Sequence, residues 1–139
     1  MKEQYDINTK YGDSVWCVFD VDNHSNTTLE KAVRYAENVK VNTVISNPCF
    51  ELWYLLHYIY TTRYFKDCDD VIRILNSYLS GYSKEKDYNS QLSSNLNKAL
   101  EHSERLIDYH IQQGNNLFLR ESNPVTHVKN LAKYLRDLQ

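Results

Sequence analysis

The stretch Val15-Trp16-Cys17-Val18-Phe19-Asp20-Val21-Asp22 ends in two carboxylates spaced i, i+2. On an extended chain, residues two apart point to the same side, so Asp20 and Asp22 are placed to converge on one hard cation such as Mg2+ or Mn2+. The alternative needs no ion: one aspartate caps the following helix and the other is a solvated loop residue. Glu51 is the third candidate, because it interrupts the otherwise apolar run Phe50, Leu52, Trp53, Leu55, Leu56, Ile59. A charge on such a face must be desolvated, although a place in the first turn of a helix, favoured by the helix dipole, explains it more simply. His57, about two turns further on, reads as a core or boundary histidine. His102 and His110 are too far apart for a metal pair one helical turn apart and read as solvated.

The elements that would position these residues follow from pattern. Val15 to Phe19 is apolar without a break, which suits a central strand buried on both faces and hence a parallel sheet covered by helices. Ligands of such sheets bind outside the carboxyl ends of the strands, where Asp20 and Asp22 emerge. Thr27-Thr28-Leu29-Glu30 fits a capping box with Thr27 as N-cap, and Leu29, Ala32, Val33 and Ala36 give the following helix one apolar face. Val41 to Ile45 reads as a second strand stopped by Ser46-Asn47-Pro48, which completes a βαβ unit with the usual right-handed crossover. Pro48 at the first helical position, capped by Asn47 or Ser46, would open a buried helix running to about Ile59 and bring Glu51 to the same edge as the two aspartates.

Beyond Tyr60 the pattern is helical. Asp69 to Leu79 stops at Gly81, residues 82–88 read as a charged, exposed and flexible loop, and a long amphipathic helix from Leu92 ends near Gly114. Asn123-Pro124 repeats the cap-plus-proline opening ahead of a last amphipathic helix through Leu138. The expectation is one α/β domain over residues 1–139, with a βαβα core to residue 60 and a helical extension after it.

The bulk numbers bound the function classes. The chain of 139 residues is 42% apolar and 24% charged, with a formal net charge of −2, so it has no basic surplus for non-specific polyanion binding. Any nucleic-acid contact is therefore local or metal-mediated. Three glycines leave no phosphate-cradling loop. Three cysteines at wide spacing form no C-x-x-C pair; Cys17 and Cys49 lie in apolar runs and read as reduced core residues, as in a cytoplasmic protein. No membrane span or export signal is indicated.

Together, Val15 through His24, the segment Ser46-Asn47-Pro48-Cys49-Phe50-Glu51-Leu52-Trp53-Tyr54-Leu55-Leu56-His57, and Asn123-Pro124 with Thr126 and Val128 resemble the RloB family from about Tyr11 to the C-terminus. The resemblance implies a bacterial protein of abortive infection and phage resistance, often encoded beside an RloA-type ATPase. It also implies a fold like the Toprim domain, in which a glutamate after the first strand and a D-x-D after a later one hold Mg2+ for phosphodiester chemistry. Asp20 and Asp22 then match the D-x-D, and Glu51 the acidic residue of the S-N-P-C-F-E segment. Residues 1–14 offer no apolar run, and their one glutamate, Glu3, sits in none, so the family's first βα unit is expected to be missing. A sheet of two parallel strands is thin, and a partner or a second copy is expected to cover its open edge. Two functions are implied: a Mg2+-dependent nuclease using Asp20, Asp22 and Glu51, or a non-catalytic subunit that partners the ATPase. The 12 tyrosines and the C-terminal helices would serve the second as a docking face.

Overall fold

The computed structural model describes residues 14–139. The expected turn over residues 11–14, save Ser14, and the polar start of the chain with Glu3 lie outside them. Strand β1 (Trp16–Asp20) pairs in parallel with β2 (Asn42–Asn47), and β2 pairs antiparallel with the short β3 (Val125–Thr126). The class is α/β, as expected, but the sheet is mixed and three-stranded in the order β1-β2-β3. The third strand leaves no signature in the sequence, because two residues carry no periodicity; it directly follows the second proline, Pro124.

The central strand is β2 and not β1. Val44 and Ile45 are both fully buried, each on its own face of the sheet, which is the burial the apolar-run argument assigned to β1. Among the described residues β1 has a neighbour on one side only, and Cys17 and Val18 are exposed, Val18 at 42%. An apolar run reports the face contacts that a strand can make; it does not report its place in the sheet.

Helix α1 (Asn26–Asn38) returns the chain from β1 to β2. It is capped by Ser25, whose hydroxyl accepts from the Thr28 amide, two residues before the expected cap Thr27. Leu29 and Val33 cover the Ile45 face together with Phe118 and Leu119. The opposite face, with Val44, is covered by Trp53 of α2 (Glu51–Leu55), Ala99 and Leu100 of α5 (Leu96–Gln112) and Val128 of α6 (Val128–Asp137). The largest apolar cluster lies beyond the sheet: Leu52, Leu55 and Leu56 meet Phe65, Leu106, Tyr88, Leu92 of α4 (Asn89–Leu92), and Val71 and Leu75 of α3 (Cys68–Leu75). Asp67 caps α3 through the Asp70 amide. This helix ends at Leu75, short of the expected Leu79, so Gly81 (φ +68°) is not its stop but sits in the turns that follow, whereas Gly114 (φ +76°) does lie just past the end of α5.

Several expectations are corrected. Neither proline opens a helix: Asn47–Pro48 and Asn123–Pro124 are both cis, β2 runs on to Asn47, α2 starts three residues after Pro48 and is a single short turn pair, and Pro124 enters β3. His110 is not solvated but 1% exposed; Asn115 Nδ2 donates to its Nδ1 (2.9 Å), so its Nε2 proton goes to the Pro124 carbonyl (2.9 Å). His102 is half-buried, with Nδ1 2.8 Å from the Leu56 carbonyl. His57 is buried against the Trp53 carbonyl, as a core histidine should be. The segment 82–88 is anchored, since Tyr82 stacks on Tyr88 and the Tyr88 hydroxyl accepts from the Ser83 amide. Cys17 is an exposed free thiol, and Cys49 is bonded to Cys68, so the reduced-core reading holds for neither. The contact of α2 with α3 is what brings two cysteines 19 residues apart together.

Candidate functional site

Asp20, Asp22 and Glu51 all stand at the carboxyl ends of the two parallel strands, but the backbone aims them differently. After β1 the Val21 amide still donates to the Ser46 carbonyl (2.8 Å), and the Asp22 amide to the Pro48 carbonyl (3.1 Å). Asp22 has φ +42°, a left-handed conformation that aspartate tolerates better than most residues. The chain is therefore no longer extended where the i, i+2 argument needs it to be.

Asp20 turns toward the start of α2. Its Oδ1 accepts from the Phe50 amide at 2.9 Å. Burial raises its pKa above the usual carboxylate value; the Phe50 bond and Lys84 oppose this, and the charges of Glu51 and Asp22 reinforce it. Asp20 is thus a partly desolvated carboxylate within the field of two others, the setting in which a cation is most useful.

Glu51 is 4% exposed and already engaged. The Tyr82 hydroxyl donates to Oε2 at 2.7 Å, and Lys84 Nζ lies 3.8 Å from the same oxygen. Cys68 Sγ lies 3.4 Å from Oε1. Bonded to Cys49, that sulfur has no proton to donate, so the approach is a contact and not a hydrogen bond. Burial, then the bond to Glu51 and its charge, push the Tyr82 phenol far above its ordinary value. Among the described residues, the set of three Cys, His, Asp or Glu groups whose ligand atoms lie within 4.8 Å of one another is Cys49, Glu51 and Cys68, not Asp20, Asp22 and Glu51.

Asp22 lines a cleft of about 260 Å3 with Asn47, Tyr64, Lys66, Asp67 and Arg120. Arg120 builds one wall: Nη1 donates to the carbonyls of Asp22 (2.7 Å) and His24 (2.9 Å), and its amide donates to Asn26 Oδ1 (2.9 Å). Asn47 Nδ2 fixes the same segment through the carbonyls of Leu119 and Arg120, and Asn123 clasps Phe65 by both its amide and its carbonyl. A larger cleft of about 360 Å3, lined by Trp53, Tyr54, His57 and Tyr88, contains none of the three carboxylates.

Tyr82, Lys84, Lys66 and Arg120 were not legible as site residues. Their partners lie 31 residues or more away for Tyr82 and Lys84, and close to a hundred for Arg120, so no local pattern marks them. The aromatic pair Tyr82 and Tyr88 in a charged stretch was the one available signal that the loop is anchored.

The model of the family described as RloB-like protein matches residues 1–135. No curated protein and no solved structure matches the chain. No helix among the described residues is long and apolar enough to cross a membrane.

Proposed function

The chain belongs to the RloB-like protein family, and from that premise we propose that it is a phage-defence protein with a Toprim-like core, acting as a Mg2+- or Mn2+-dependent nuclease on nucleic-acid phosphodiesters. The observation that carries this reading is that Asp20 and Asp22 leave β1 at the carboxyl ends of two parallel strands, with Asp22 on the rim of a cleft that also holds Lys66 and Arg120. The donor set fits a hard divalent ion in part. Asp20 and Asp22 supply carboxylate oxygens, and the raised pKa of Asp20 is the electrostatic cost that a bound cation would offset. Glu51, held by Tyr82 and Lys84, fits as a neighbour of that ion and not as a direct ligand.

Such an ion, when bound, neutralises charge on the phosphate and lowers the pKa of a coordinated water. The chain's own residues do the rest. The Phe50 amide fixes the carboxylate plane of Asp20, Arg120 holds the loop that carries Asp22, and Lys66 and Arg120 are the cationic groups of a cleft that Asp22, Asp67 and Glu121 also line, so a bound cation would be needed there to admit a phosphate. The test is cleavage of single- and double-stranded DNA and RNA with Mg2+ or Mn2+, beside Mn2+ calorimetry. An Asp20→Asn, Asp22→Asn double variant should lose both cleavage and ion binding; cleavage that persists unchanged refutes the reading.

A second reading has its own observation. The outer side of β1 is unpaired among the described residues, with Cys17 and Val18 exposed beside it. Such an edge invites strand addition by an RloA-type ATPase or by a second copy of the chain. A stable complex that Val18→Lys dissolves, with no metal-dependent cleavage, would support a non-catalytic subunit. A monomer that cuts nucleic acid would sink it.

A further inference from the structure

We infer that Cys49 and Cys68, once reduced, form with Glu51 a binding site for a thiolate-preferring divalent cation, Zn2+ above all, which is distinct from the Asp20 and Asp22 pair. The three groups already cluster: their ligand atoms lie within 4.8 Å of one another, Cys49 and Glu51 are buried, and Cys68 is partly so. Zn–S bonds of about 2.3 Å and Zn–O bonds of about 2.0 Å at a tetrahedral angle put a sulfur and an oxygen ligand about 3.5 Å apart, and two sulfurs about 3.8 Å apart. Cys68 Sγ and Glu51 Oε1 stand at 3.4 Å, so that pair needs no movement. The two sulfurs must only part from bonding to ligand distance, which side-chain rotation supplies.

The second observation is chemical. A buried carboxylate set against a disulfide gains nothing from the sulfurs, which have no proton to give, whereas against two thiolates it completes a Cys2Glu set that leaves the fourth position to water. Charge is also provided for. Two thiolates and a carboxylate around Zn2+ leave one net negative charge, and Lys84 Nζ is 3.8 Å from Glu51 Oε2 on a side chain 69% exposed and free to adjust.

The conversion balances with an external dithiol as reductant. Its thiolate attacks Cys68 Sγ, the more accessible sulfur, and Cys49 leaves as the thiolate and takes a proton. The reagent's second thiol, as its thiolate, then closes on the mixed disulfide and releases Cys68, so two electrons and two protons pass to the protein and the dithiol becomes a cyclic disulfide. Zn2+ displaces the two thiol protons as it binds.

The probe is Co2+, titrated into the reduced protein in a Cys17→Ser background that removes the exposed thiol. A thiolate-to-Co2+ charge-transfer band should grow to one ion per chain, be bleached by Zn2+, and be absent from the oxidised protein. Glu51→Gln should weaken Co2+ binding at least tenfold, and a Cys49→Ser, Cys68→Ser variant should lose the band. Asp20→Asn, Asp22→Asn should keep it at unchanged affinity, so that failure here and failure of the nuclease reading are told apart. Variants that unfold are bypassed by mass-tagging the reduced parent, in which Zn2+ should protect Cys49 and Cys68 from alkylation. No band in the reduced parent, a band that survives loss of both cysteines, or full alkylation in the presence of Zn2+ would each overturn the inference.

Discussion

Removing one oxygen, by Tyr82→Phe, tests whether Glu51 is a structural carboxylate. The ring stays, with its stacking on Tyr88 and its contact with Tyr54, so the area buried barely changes. What is lost is a 2.7 Å hydrogen bond to a carboxylate that is 4% exposed. Bonds to charged groups contribute about 1.5–3 kcal/mol, and the low exposure leaves little room for water to replace the donor. Lys84, the other partner, has a side chain 69% exposed at 3.8 Å, so Lys84→Ala should cost less than about 1 kcal/mol. With a urea slope of about 2 kcal/mol per molar, Tyr82→Phe should lower the unfolding midpoint by about 1 M and leave the slope unchanged. In a Glu51→Gln background the same substitution should cost less, because the charge that strengthens the bond is gone. The two single substitutions shifting the midpoint equally, or Tyr82→Phe costing below about 0.5 kcal/mol, would refute the argument. The pH dependence has a definite sign. Burial, and then Glu51, raise the folded pKa of Tyr82 above its unfolded value. Its contribution is therefore complete below about pH 10 and lost as pH rises from there toward the folded value, and Tyr82→Phe should remove that alkaline loss.

Asp20 behaves in the same sense at lower pH. Its folded pKa is raised, chiefly by burial, so its contribution is complete below about pH 3.9 and lost as pH rises through the folded value. Asp20→Asn, which can still accept from Phe50, should raise the urea midpoint at pH 7 without metal, and the gain should fade below about pH 4; a lowered midpoint at pH 7 contradicts this. His57 and His127 run the other way. Burial lowers both; carbonyl hydrogen bonds oppose it, and Lys129 adds to it at His127. The neutral rings therefore support the fold above about pH 6.5 and less as pH falls. Their ring protons, followed by NMR, should titrate with midpoints below 6.5, and a midpoint at or above that value for either would refute the burial argument. Arg120→Ala should free the Asp22 and His24 carbonyls, cost about 0.5–1.5 kcal/mol by urea unfolding because the side chain is exposed and water can replace it in part, and weaken nucleic-acid cleavage; an unchanged midpoint would mean that the loop does not depend on it.

The sequence by itself determined the class and the order of the main elements. Short-range periodicity is a property of single segments, so the two parallel strands, the α1 crossover between them and the amphipathic helices after residue 60 were legible, as were the three acidic candidates near one sheet edge and His57 as a core residue. Only the tertiary structure decided the rest. Whether an apolar run is central or at an edge depends on neighbours brought in from elsewhere, which is why Val18 is exposed while Val44 is not. A proline reads the same from sequence at a helix start or on a cis bond, so Pro48 and Pro124 misplaced the starts of α2 and α6. Asp20 is aimed by the Phe50 amide and Asp22 by its own left-handed backbone, and the state of Glu51 hangs on Tyr82, Lys84 and Cys68, all distant along the chain. Contacts between remote residues leave no periodic trace in either segment, and the surroundings of the candidate site are made almost wholly of such contacts.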